Sequence, residues 1–200
     1  MKNKKLMIIV SIILIVIIIG ISLFLVLSKD NSSDAVKFSK EYETVTDNNV
    51  FVYRTDEEII KILKNGTGIV YLGFPECPWC CEYVKYLNEV ALANDYEKIY
   101  YKNILDERKN NTDFYQELIK ILDEYLQYDD EGNKRIYVPA VIAVKKGKIV
   151  GFDDETSLDT KGYETPQDYW QNEDLVGLKE KLRQMMSDTI IDSCTSDCNK

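Results

Sequence analysis

The sequence predicts an α/β domain, a central mixed sheet flanked by helices, preceded by one N-terminal transmembrane helix. Three observations carry this reading. An apolar run without a charge covers Leu6 to Leu27, strand and helix patterns alternate from Val50 to Tyr125, and a hairpin followed by an amphipathic helix occupies Val138 to Met185.

The apolar run holds 22 residues. As a helix it rises about 33 Å, enough to cross a hydrocarbon core of about 30 Å. A secretory signal has a shorter apolar stretch, about 7 to 15 residues, and Phe24-Leu25-Val26-Leu27 offers no small-x-small cleavage site, so the expectation is an uncleaved signal anchor. Lys2, Lys4 and Lys5 precede the run, and the positive-inside rule keeps them in the cytoplasm. Residues 1–5 therefore read as a cytoplasmic tail and 6–27 as a single-pass anchor in the cell membrane. Polar residues 28–49 read as a stalk, 50–191 as a domain on the extracytoplasmic side, and 192–200 as a tail carrying a cysteine pair.

Within the exported part, an apolar, β-branched and aromatic run from Val50 to Arg54 predicts a strand. Thr55 with Glu58 forms a capping box for a helix that Gly66 stops. Gly68 to Phe74 reads as a buried strand, after which Pro78 sits at the first position of a second helix with Val84, Leu87, Asn88 and Ala91 on one face. Lys98 to Leu105 predicts a third strand, and Phe114, Leu118, Ile121, Leu122 and Tyr125 recur at helical spacing. Lys145-Lys146-Gly147 joins the two arms of a hairpin, the acidic stretch from Asp153 to Asp174 reads as a loop, and Leu175, Leu178, Leu182 and Met185 mark a last helix. Asp129-Asp130-Glu131 and Asp153-Asp154-Glu155 read as solvated turns without calcium-loop spacing.

Residues 28–200 hold all 34 acidic residues and 22 of the 25 basic ones, a formal charge of −12. No Lys/Arg stripe offers a track for phosphates, so nucleic acid is not an expected partner. Histidine is absent, which removes Ser-His-Asp hydrolysis, Cys-His proteolysis and histidine metal triads. Five cysteines remain as the reactive groups.

Cys77-Pro78-Trp79-Cys80 is a C-x-x-C motif where a strand ends and a helix begins. Unpaired N–H groups and the macrodipole at a helix start favour a thiolate, so Cys77 is the expected nucleophile. Cys80, one turn on, is the expected resolving thiol that attacks a mixed disulfide. A structural bridge across three residues would restrain the unfolded chain little, which favours redox use over structure. Cys81 reads as a packed thiol or a second resolving thiol, and Cys194 with Cys198 as a local disulfide, a shuttle partner or a metal pair. These three are candidate accessory thiols. No metal site and no cofactor is required, since a dithiol itself carries two electrons.

The strand end Tyr71-Leu72-Gly73-Phe74-Pro75-Glu76 running into Cys77-Pro78-Trp79-Cys80, and Val138-Pro139 opening the hairpin, resemble the thioredoxin-like superfamily over Val50 to about Met186. The resemblance implies a thioredoxin-like sheet and a cis Pro139 beside the cysteines. It implies that backbone groups of Val138 pair with an extended substrate, Trp79 standing at the same site. The superfamily's reductases keep a buried carboxylate six positions before the first cysteine, and here that place is Tyr71. The anchor and the Phe-Pro-Glu-Cys-Pro-Trp-Cys wording are similar to exported accessory proteins of bacteriocin transport. Together these imply a membrane-anchored thiol-disulfide oxidoreductase acting on exported proteins or peptides with an unknown redox partner. Two other readings stay open, a non-catalytic accessory domain that binds a secretion partner, and thiol-based metal delivery.

Overall fold

The structure, a computed structural model, describes residues 34–159 and 161–190. The expected anchor at 6–27 and the tail with Cys194 and Cys198 lie outside the described residues. Among those described, no helix is long and apolar enough to cross a membrane.

A five-stranded mixed sheet is organised around β2 (Gly68–Gly73), which is buried at every position. An all-apolar strand of this kind needs cover on both faces, and the flanking helices supply it. β2 pairs in parallel with β3 (Ile99–Asn103), which pairs in parallel with β1 (Phe51–Tyr53) at one edge. On its other side β2 runs antiparallel to β6 (Ala140–Lys145), and β6 to β7 (Lys148–Asp153), with Ile69 opposite Ala143 and Tyr71 opposite Val141.

The helices divide between the faces. α2 (Asp56–Asn65) has the expected capping box, the Thr55 side chain accepting from Glu58 N while Glu58 accepts from Thr55 N. With α5 (Asp113–Leu122) it covers Val70, Leu72 and Ile142 through Ile59, Leu63, Leu118 and Leu122. α3 (Pro78–Ala93) and α7 (Leu175–Ile190) cover the opposite face, where Val84, Leu87 and Leu182 meet Ile69, Ile99 and Ala143. The expected inward face of α3 is borne out, with Val84, Leu87, Asn88 and Ala91 all buried. The short α4 (Leu105–Asn110) and the two-stranded hairpin of β4 (Gln127–Tyr128) and β5 (Lys134–Arg135) follow β3 and α5, and neither was expected.

Three expectations need correction. Residues 34–49 are not a stalk. Helical residues 34–41, α1, begin a segment whose Ala35, Phe38, Tyr42 and Val45 are buried, with Phe38 stacked on Phe51 at 3.9 Å between ring centroids. The stretch from Asp153 to Asp174 is not a simple loop, because Thr165 caps a further helix, α6 (Pro166–Asn172), that buries Tyr169 and Trp170. Nor is Asp153 a solvated turn residue: it is 1% exposed, accepts from the Tyr83 hydroxyl, and pairs with Lys181 at 2.5 Å. A buried carboxylate needs such partners. Asp154 is buried beside it.

If residues 34–45 were a tether, Phe38→Ala would leave stability unchanged. Because Phe38 is fully buried against Phe51, Tyr42 and Tyr101, the substitution is expected to cost about 3–5 kcal/mol, read as a lower urea midpoint at unchanged slope.

Candidate functional site

β2 ends at Gly73 and the chain turns into α3 over four residues, closed by a hydrogen bond from Cys77 N to Phe74 O of 3.2 Å. Pro78 at the first helical position fixes φ and has no N–H to leave unpaired, so α3 starts at once after the turn. Cys77 becomes the N-cap, with its Sγ accepting from Cys80 N at 3.4 Å. A sulfur thus occupies the place that Ser or Asp oxygen takes in ordinary caps.

The two thiols have opposite surroundings. Cys77 is partly exposed, and a hydrogen bond from the Cys80 side chain is the leading influence that brings its pKa down to about 7. Burial works against this, while the N–H groups of Cys80 and Trp79 and the charge of Arg108 add to it. Cys80 is fully buried, and burial pushes its thiol well up. Cys81 is half-buried, its Sγ donates to Pro75 O at 3.1 Å, and burial followed by the Cys77 charge raises it too. Among the described residues Cys77 is the cysteine held toward its thiolate, with the Cys80 thiol ahead of the helix-start N–H groups as the cause.

Across the site, the Val138–Pro139 peptide is cis, as the resemblance implied, and Val138 O lies 3.9 Å from Cys77 Sγ. Trp79 meets Tyr169 of α6 edge-on at 5.5 Å, so the extra helix buttresses the motif from the side. The structure therefore brings Cys77, Cys80, Trp79, Cys81, Val138 and Pro139 to one end of the sheet.

Sequence reasoning missed the wall behind Cys80. Tyr71 is fully buried and stacks on Tyr101 at 5.7 Å, and Tyr101 shares a hydrogen bond with the Tyr42 hydroxyl at 3.1 Å. The Tyr71 hydroxyl makes no hydrogen bond of ordinary length and angle, although Cys80 and the Tyr42 hydroxyl are its near polar neighbours. It points at the Cys80 environment, for a Cβ on Gly73 would come within 2.6 Å of that hydroxyl and 3.2 Å of Cys80 Sγ. Burial, then the Cys80 charge, push the Tyr71 hydroxyl well up. The signal was present in the sequence as a tyrosine where an aliphatic strand residue would be ordinary. The short α4, also unexpected, contributes Arg108, whose guanidinium lies 4.7 Å from the centre of the Phe74 ring.

A scan against protein-family models gives no match for this chain, and a search of curated proteins gives none.

Alkylation of reduced Cys77 by a neutral reagent is expected to rise with pH through a midpoint near 7. Its thiolate form is the stabilised one, so the reduced fold gains stability as pH climbs above about 7 and loses it as pH falls through that value. Mass spectrometry of pulse-labelled protein measures the first and urea melts measure the second. Tyr71→Phe deletes an unpaired buried hydroxyl and is expected to raise stability by about 1 kcal/mol, whereas a loss of that size would show that the hydroxyl has a partner.

Proposed function

We propose that this chain is a thiol-disulfide oxidoreductase with a thioredoxin-like domain, working on exported proteins or peptides from the outer side of a membrane. The observation that carries the chemistry is the split between a lowered, accessible Cys77 and a raised, buried Cys80 within one helical turn. The mixed sheet, the helix start at Cys77 and the cis Val138–Pro139 peptide facing it support the resemblance. The membrane location rests on Lys2, Lys4, Lys5 and the apolar run alone.

In the reducing direction Cys77 thiolate attacks one sulfur of a substrate disulfide, forming a mixed disulfide and expelling the first substrate thiolate. Cys80 then gives up its proton, its thiolate attacks Cys77 Sγ, and the second substrate thiolate leaves. Two electrons pass to the substrate, and a Cys77–Cys80 disulfide remains. Oxidation of a substrate dithiol is the same sequence reversed. Val138 offers its carbonyl beside the reacting sulfur, where an extended substrate backbone can pair with it. Direction depends on the potential of the couple, each 30 mV being about 1.4 kcal/mol.

Cys80→Ser removes the resolving step and is expected to leave mixed disulfides trapped through Cys77, seen on non-reducing gels and lost on Cys77→Ser. A domain that only binds partners would trap none, and that result would end the redox reading.

A further inference from the structure

Beyond the effect of its charge on Cys77, Arg108 belongs to an arrangement that the exchange chemistry leaves unassigned. Arg108 of α4 and Arg135 of β5 line one cleft of about 580 Å³, together with Tyr115, Lys134, Asp129 and Glu131. The two guanidinium groups are near enough that Arg135, after burial, is the next influence destabilising the charge on Arg108. Among the described residues neither arginine has an ion pair with a carboxylate, and Arg135 Nε is buried without a hydrogen-bond partner. Of the two carboxylates in the lining, Asp129 accepts through Oδ1 from the backbone N–H groups of Glu131 and Asn133 and so closes the β4–β5 turn. Lys134 is committed to Asp123 O and Leu126 O, at 2.8 and 2.9 Å.

Two like charges held together in a strongly acidic chain are an electrostatic cost unless an anion joins them. The cleft is tied to the reacting sulfur through Arg108, whose charge acts on Cys77, and along the chain through Arg135. Arg108 lies over the ring of Phe74, whose carbonyl accepts from Cys77 N. Arg135 stands three residues before Val138, whose carbonyl faces Cys77 Sγ. Three residues of chain span at most about 10 Å.

We propose that the Arg108–Arg135 cleft is a carboxylate-binding subsite that selects substrate polypeptides carrying Asp or Glu within about three residues of the cysteine that Cys77 attacks. The inference rests on the redox reading and adds a substrate class to it. A fork-shaped guanidinium suits a carboxylate, and two of them can hold both its oxygens.

The test uses reduced full-length protein in detergent and two pairs of synthetic peptides. Each carries one cysteine as a mixed disulfide with 2-mercaptoethanol and either Glu or Gln three positions away, on each side in turn. Stopped-flow measurement at low salt is expected to give the Glu peptide an advantage of about tenfold, the effect of one charge-assisted hydrogen bond. Arg135→Gln and Arg108→Gln are each expected to bring the Glu/Gln ratio close to one. The ratio cancels any change in Cys77 reactivity that loss of the Arg108 charge causes. A ratio of one in the unaltered protein, or a ratio that survives both substitutions, overturns the subsite. Neutral 2-hydroxyethyl disulfide separates the two readings: if it reacts while the peptide ratio is one, only the subsite fails. If neither it nor any peptide reacts, the redox reading fails and takes the subsite with it.

Discussion

Everything at the site depends on the hydrogen bond by which Cys77 Sγ caps α3, accepting from Cys80 N at 3.4 Å. It exists because β2 is too apolar to continue into solvent and must stop at Gly73, leaving four residues in which to reverse direction. Pro78 then makes the next residue helical without wasting a backbone donor. A cap sulfur carrying negative charge is favoured by the same unpaired N–H groups that any helix start presents. The fold needs the cap and the chemistry needs the anion, and one atom serves both. Moving that sulfur by a residue would forfeit the N–H groups and place it on an ordinary helix face.

Behind the motif, packing is unusually aromatic. Phe38, Tyr42, Phe51, Tyr71 and Tyr101 form one contiguous stack running from the N-terminal segment to the wall of Cys80. The segment 34–45 therefore does more than lead into the domain: it closes the open side of β1 and β3, and Thr44 donates to Cys81 O at the base of the motif.

The sheet and its main helices were legible because their signals are local. Thr55 with Glu58, Pro78 after Cys77 and the Lys145-Lys146-Gly147 turn each fix an element boundary through short-range backbone chemistry. What escaped depends on distant partners or on weak patterns. Ala35, Phe38, Tyr42 and Val45 do recur at near-helical spacing, but exposed lysines and acids between them resemble a polar linker until Phe51 is seen beneath Phe38. Thr165 and Pro166 are an explicit start signal for α6, obscured by the acidic residues around them. Asp153 gave no local hint of burial, since its partners Tyr83 and Lys181 lie 70 and 28 positions away. Cys77 and Cys80 were readable as a motif, whereas Arg108 and Arg135 meet only after α4 and the β4–β5 hairpin have folded.

The contrast between the two thiols also orders the proposed reaction in time. Cys77 is ready at neutral pH, so attack on a substrate needs no prior proton transfer. Cys80 is fully buried with its thiol raised, and beside it stands a tyrosine hydroxyl, itself pushed up, rather than a carboxylate that could take a proton. Tyr71 can donate a hydrogen bond to a Cys80 thiolate but is a poor base for making one. In the proposed cycle the first attack starts from a thiol held toward its thiolate, whereas resolution requires Cys80 to lose its proton first. A long-lived mixed disulfide keeps the substrate attached while the rest of its chain contacts the surface. A cleft such as that of Arg108 and Arg135 acts before this, in the encounter that sets how often Cys77 attacks, because a substrate already joined to Cys77 has been chosen.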